Sequence, residues 1–174
     1  MILWINGAFG VGKTTTAFEL QRRIPNSFVY DPENAGYFIR KNSPVSFSKG
    51  DFQDIPLWRK INFEMLMLLS TQYKGVIIVP MTLVSKLYYD EIVTNLINNG
   101  IEVRHFILYA SRETIINRLN KRCKGRSEAF AMQSIERCFH FFDTCIKEIK
   151  ITTDNKNIDD VISEIAGICD LILM

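Results

Sequence analysis

The stretch WINGAFGVGKTTTAFEL (residues 4–20) decides the fold. Within it GAFGVGKT (residues 7–14) fits G-x-x-x-x-G-K-[ST], the Walker A pattern. It lies directly after the strand-like ILWIN (residues 2–6) and directly before a helical pattern over 13–23 that stops ahead of Pro25. At ordinary glycine usage, a random chain of this length would meet those fixed positions in about one case in a hundred or fewer. The residue types suit an anion. Gly7, Gly10 and Gly12 let the backbone curl so that its N–H groups face a phosphate, at the positive end of the helix that follows. Lys13 is expected to reach β and γ phosphates, Thr14 to offer a hydroxyl to Mg²⁺, and Thr15 to touch an α-phosphate; Ala8, Phe9 and Val11 complete the cradle. The ligand expected from these residues is a nucleoside triphosphate.

Composition narrows the class. The chain has 174 residues, 47% of them hydrophobic and 23% charged, which suits one ordinary domain with its own core. Twenty-one basic against nineteen acidic residues leave a net charge of +2, without the basic stripe that nucleic acid requires. The apolar start, residues 1–5, has no basic region before it, and residues 169–174 are apolar but too few to span a bilayer. No stable membrane insertion is expected, and a cytoplasmic protein is. Cys123, Cys138, Cys145 and Cys169 show no metal-ligand spacing and read as reduced thiols. His105 and His140, without partners at a recognisable spacing, read as core or surface residues. Nothing here sets the oligomeric state.

Strand-length apolar runs recur at residues 2–6, 27–31, 75–80, 103–110 and 149–152. Helical patterns follow over 13–23, 57–73 and 87–98, then from Ser111 as N-cap, near Phe130, and from Ile158 with Asp159 and Asp160 in the first turn. Alternation of this kind predicts a parallel sheet with helices on both faces. Residues 35–52 are the least periodic and read as a connection or binding loop.

The cradle alone does not separate a kinase from a switch. The strand VIIVP ends without an acid, whereas FVYDPE ends in Asp31 and Glu33, at the strand edge where open α/β sheets place ligands. Asp31 is a candidate metal or acceptor residue, Glu33 an acceptor residue, and Asp31-Pro32 is also a turn and helix-start signal. Arg118, Arg122 and Arg126 form a basic group at a glycine-containing break, suited to close over phosphate as charge spreads in transfer. DFQDIPLWRK (residues 51–60) offers Asp51, Trp58 and Arg59 as an acceptor wall. The aromatic CFHFFDTC reads as a buried helix face.

Together WINGAFGVGKT, TAFEL, VYDPENAGY, DFQDIPLWR, IVPMT, HFILYASRET and ITTDNKNIDDV resemble the tunicamycin-resistance ATP-binding proteins over nearly the whole chain. More distantly the layout resembles shikimate and nucleoside monophosphate kinases. The resemblance implies a single domain over 1–174 with a five-stranded sheet of order 2-3-1-4-5. It also implies ATP on residues 7–14, a lid at about 122–137 and an acceptor side at about 32–60. Asp154 and Asn155 are implied near the adenine. The implied activity is Mg²⁺-dependent transfer of phosphate to a hydroxyl of a small polar molecule, tunicamycin being one candidate. The alternative is ATP-dependent sequestration of the antibiotic without chemistry.

Overall fold

Every residue of β1 (Ile2–Gly7) is buried, because parallel strands flank it on both sides and helices cover its faces. The computed structural model describes residues 1–47, 50–122 and 126–174; for residues 47, 122 and 126–134 the backbone alone is described. After β1 come α1 (Lys13–Arg23), β2 (Ser27–Val29), α2 (Glu33–Lys41), α3 (Pro56–Gln72) and β3 (Val76–Pro80). Then follow α4 (Lys86–Tyr89), α5 (Asn95–Asn98), β4 (Val103–Tyr109), α6 (Arg112–Arg122), α7 (Arg126–Thr144), β5 (Ile149–Thr152) and α8 (Ile158–Ile168). The sheet is all parallel in the order β2-β3-β1-β4-β5, as expected. In its register Trp4 lies between Val79 and His105, and Gly7 pairs with Leu108.

Local signals account for several of the boundaries. Asn157 and Asp160 cap each other's backbone at the start of α8, and the Ser111 hydroxyl accepts from Thr114 N at 3.1 Å at the start of α6. Past α5, Gly100 takes φ 78°, and its N–H donates to Ile97 O at 2.9 Å.

Four expectations need correction. Residues 35–52 do not begin as a loop: α2 runs to Lys41 with Gly36 and Ile39 buried on its inner face, and at Gly36 a Cβ would lie 2.7 Å from the Phe52 ring. The helix expected over 87–98 is interrupted by a π-helical turn (Asp90–Thr94). β2 ends at Val29 rather than Asp31, although Tyr30 N still donates to Ile78 O at 2.9 Å. The helix expected near Phe130 begins at Arg126.

Cys138, Phe139, Phe141 and Phe142 are buried on α7, as the aromatic run predicts, and among the described residues Cys138, Cys145 and Cys169 are free thiols. Cys123 lies outside the described residues. His105 is buried and stacks on Tyr89 at 5.4 Å; burial pushes its imidazole down to about 3, so it sits in the core as a neutral ring. No described helix is long and apolar enough to cross a membrane.

Candidate functional site

The strand-to-helix turn between β1 and α1 curls through three glycines with positive φ: Gly7 at 145°, Gly10 at 80° and Gly12 at 113°. A Cβ on Gly7 would lie 2.7 Å from both Leu108 O and Val11 Cγ1, whereas at Gly12 it would meet nothing within 4 Å. Space therefore demands glycine at the first position and backbone conformation demands it at the last. No side chain caps the N-terminus of α1, and its first turn holds no acid, so its N–H groups are left to an anion. Lys13 Nζ donates to Gly7 O at 2.9 Å and to Ala8 O at 3.0 Å, and lies 5.4 Å from the Phe9 ring centre.

A second segment pins this turn from below. Asn6, fully buried, donates through Nδ2 to Leu83 O at 3.0 Å and accepts from Leu83 N at 3.0 Å and Gly7 N at 2.8 Å. Thr82 Oγ1 donates to Gly7 O at 2.8 Å. The residues after β3 thus form the floor of the cradle.

In front of that floor opens a cavity of about 530 Å³, within the usual span of small-molecule sites. It brings Phe9, Gly10, Gly12, Lys13, Thr14 and Thr15 together with Asp31, Glu33 and Asp51. Asp31 Oδ1 accepts from Glu33 N at 2.9 Å, so this carboxylate both starts α2 and lines the cavity. Glu33 accepts from the Tyr37 hydroxyl at 2.9 Å. Asp51 accepts from Gln53 N at 3.0 Å, and burial raises its pKa above the ordinary aspartate value.

Trp58 and Arg59, expected on the acceptor wall, stand behind it instead. Trp58 is fully buried, donates through Nε1 to Pro32 O at 2.9 Å and packs on Phe52 at 5.4 Å. Arg59, 6% exposed, pairs with Glu91 of the π-helical turn, donates to Gln53 O at 2.6 Å and lies over the Tyr88 ring at 4.7 Å. Both hold in place the residues that do face the cavity.

A smaller cavity of about 340 Å³ shares Gly10, Gly12 and Thr15 with the first, and is otherwise lined by residues such as Arg118, Lys121, Thr153, Lys156 and Val161. Arg118 does not point toward the acid side. Its guanidinium donates to Val11 O at 3.1 Å, Thr153 Oγ1 at 3.0 Å and Thr153 O at 2.9 Å, joining the cradle to the loop after β5. Asp154 faces the start of α6, where Oδ2 accepts from Ser111 N at 2.7 Å; its pKa is lowered, first by the Thr114 hydroxyl. Asn155 turns the chain with φ 55°; Thr153, Lys156 and Asn157 beside the pair line the cavity. The side chains of Arg122 and Arg126 lie outside the described residues.

Seven cavity residues were not singled out as site residues from the sequence: Arg40, Gly50, Phe52, Gln53, Pro80, Met81 and Thr82. Arg40 follows Glu33 by seven positions, a same-face spacing that becomes visible only once α2 is known to be a helix. Met81 and Thr82 sat in the particular block IVPMT, and Gln53 in DFQ.

The uncapped helix start fits a polyphosphate. Thr14 and Asp31 supply oxygens suited to a hard cation. Among the described residues no group of three or more His, Cys, Asp or Glu is placed to hold a metal ion, so a cation here would take most of its ligands from phosphate and water.

No protein-family model matches the chain, and no curated protein matches it. Solved structures do. A gluconokinase from Sinorhizobium meliloti aligns with a TM-score of 0.67 at 13% identity, covering 97% of this chain and 91% of that one. The Mycobacterium tuberculosis APS kinase, solved with AMPPNP and APS, aligns with a TM-score of 0.64 at 17% identity, covering 97% and 96%. These two likenesses show a P-loop kinase fold. The Deinococcus radiodurans tunicamycin resistance protein aligns with a TM-score of 0.82 at 30% identity, covering 99% of this chain and 96% of that one. With that much of both chains superimposed at that identity, the chain belongs to the tunicamycin resistance protein family.

Proposed function

We propose that this protein is an ATP- and Mg²⁺-dependent phosphotransferase acting on a hydroxyl of a small polar molecule, with tunicamycin or a related nucleoside antibiotic as the first candidate. One observation carries the reading: a single cavity joins an uncapped phosphate cradle to a carboxylate at the edge of β2, with a polar wall beyond. In this reading the cradle amides and Lys13 hold the phosphates, and the smaller cavity beside Arg118 and Thr153 receives the base. Bound Mg²⁺ would neutralise charge on the phosphate oxygens, with Thr14 as its protein-side oxygen and Asp31 reaching it only through the metal's water shell. The acceptor oxygen bonds to the γ-phosphorus, the bond to the ADP oxygen breaks, and the hydroxyl proton passes to the Asp31 carboxylate. Arg122 and Arg126 belong to the proposed lid.

The test is incubation of purified protein with Mg-ATP and tunicamycin, read by ADP release and by mass spectrometry of the antibiotic. Phosphorylated antibiotic in step with ADP is the expected result; bound, unmodified antibiotic without ADP would replace transfer by sequestration. Asp31→Asn is expected to lower turnover by about 10²–10⁴-fold while leaving ATP affinity nearly unchanged. Unaltered turnover in that variant would take Asp31 out of the proton path.

A further inference from the structure

The wall opposite the phosphate cradle contains a polar group that the protein itself leaves unmatched. Gln53 lines the large cavity, is only 4% exposed, and its Oε1 is buried with no hydrogen-bond partner. A buried amide oxygen without a donor is costly, and native folds rarely keep one without use.

Its neighbours hold it rigidly without satisfying it. Gln53 N donates to Asp51 Oδ1 at 3.0 Å and Gln53 O accepts from Arg59 at 2.6 Å, while Arg59 is itself clamped by Glu91 and Tyr88. Phe52, the residue before, lies between the Arg40 guanidinium at 5.1 Å and the Trp58 ring at 5.4 Å. The backbone bonds are complete and the side-chain oxygen is left over. The same cavity carries the carboxylates of Asp31, Glu33 and Asp51, with the Lys13 ammonium on its cradle side. The cation on that side, Arg40, donates to Gly50 O at 2.8 Å and stacks on Phe52.

We infer that Gln53 selects the acceptor, and that the molecule it selects is a neutral polyhydroxylated one, a sugar, cyclitol or nucleoside sugar, whose hydroxyl donates to Gln53 Oε1. An acceptor-rich wall asks for donors, and an anionic acceptor would meet three carboxylates there. The inference rests on the large cavity being the acceptor site of the proposed phosphotransferase, and it adds the acceptor's chemistry.

The experiment compares wild type with Gln53→Met, which keeps length and removes both polar atoms. Without ligand, the variant should unfold at an unchanged temperature or up to about 4 °C higher, because an unmatched buried oxygen is gone. A fall of several degrees would make the amide structural and overturn the inference. Calorimetric binding in the presence of Mg-AMPPNP then uses tunicamycin, uridine, N-acetylglucosamine and myo-inositol as neutral probes, with gluconate and shikimate as anionic ones. A neutral probe that binds wild type and weakens about 10- to 100-fold in the variant is the supporting result. Neutral binding that ignores the substitution, binding of the anions alone, or binding of none would each overturn it. If the supporting loss is seen but Mg-ATP yields no ADP with that probe, the transfer reading fails while selection by Gln53 stands.

Discussion

At Asp51 a carboxylate is carried into the cavity wall by a 3₁₀ turn (Phe52–Asp54) whose Gln53 N–H it caps. Burial raises its pKa, chiefly by penalising the charged form, with neighbouring Asp54 adding to the effect and Arg137 and Arg40 opposing it. A raised carboxylate pKa means that the folded state binds the proton more tightly than the unfolded one. Its contribution to stability is therefore full below the ordinary value of 3.8 and is lost as pH rises through the folded value. Asp51→Asn keeps the cap oxygen and removes the titration. Denaturant unfolding across the window just above 3.8 should show the variant gaining on wild type as pH rises; a difference that stays flat with pH would mean that Asp51 is not desolvated in the folded protein.

Among the elements, the joint between β1 and the segment after β3 governs the shape of the cradle. Asn6 makes three buried hydrogen bonds there, two to Leu83 and one to Gly7 N. Asn6→Ala strips the partners from Leu83 N and O, and a loss of about 2–4 kcal/mol is expected from equilibrium unfolding. A cost under about 0.5 kcal/mol would show that this joint relaxes and that β1 alone shapes the turn. The same joint illustrates what a sequence conceals. The cradle, the sheet order, the cap of α6 and the acidic first turn of α8 were legible because their signals are local or periodic, or came with the family resemblance. Trp58, Arg59, Arg118 and Asp154 have residue types that suit a binding site, yet bonds to Pro32, Glu91, Val11 and Ser111, distant in sequence, engage them. Gly36 was not singled out, although it is the residue that lets Phe52 lie against α2. Gln53 was passed over because its defining property, a buried oxygen without a donor, exists only after folding.

Taken as one molecule, the fold places both cavities on the P-loop, which contributes Gly10, Gly12 and Thr15 to each. A ligand spanning them would touch the P-loop, α1, α6, the loop after β5 and α8 at once, and so should stabilise the whole domain. At one hundred times its Kd, Mg-ATP is expected to add about 2.7 kcal/mol and to raise the Tm by about 5–11 °C. The shift should vanish in Lys13→Ala. A thermal scan in which wild type ignores saturating Mg-ATP would refute nucleotide binding itself.

The carbonyl of Gly7 has two donors, the Lys13 ammonium and the Thr82 hydroxyl. Were Lys13 to turn from that oxygen toward an arriving phosphate, Thr82 would remain, and the peptide at the heart of the turn would not be stripped bare. The lysine can trade partners without a moment in which Gly7 is unmatched. The floor beneath the lysine keeps its own hydrogen bonds through Thr82 and Asn6, so that filling and emptying the cradle would not have to disturb the strand that carries it.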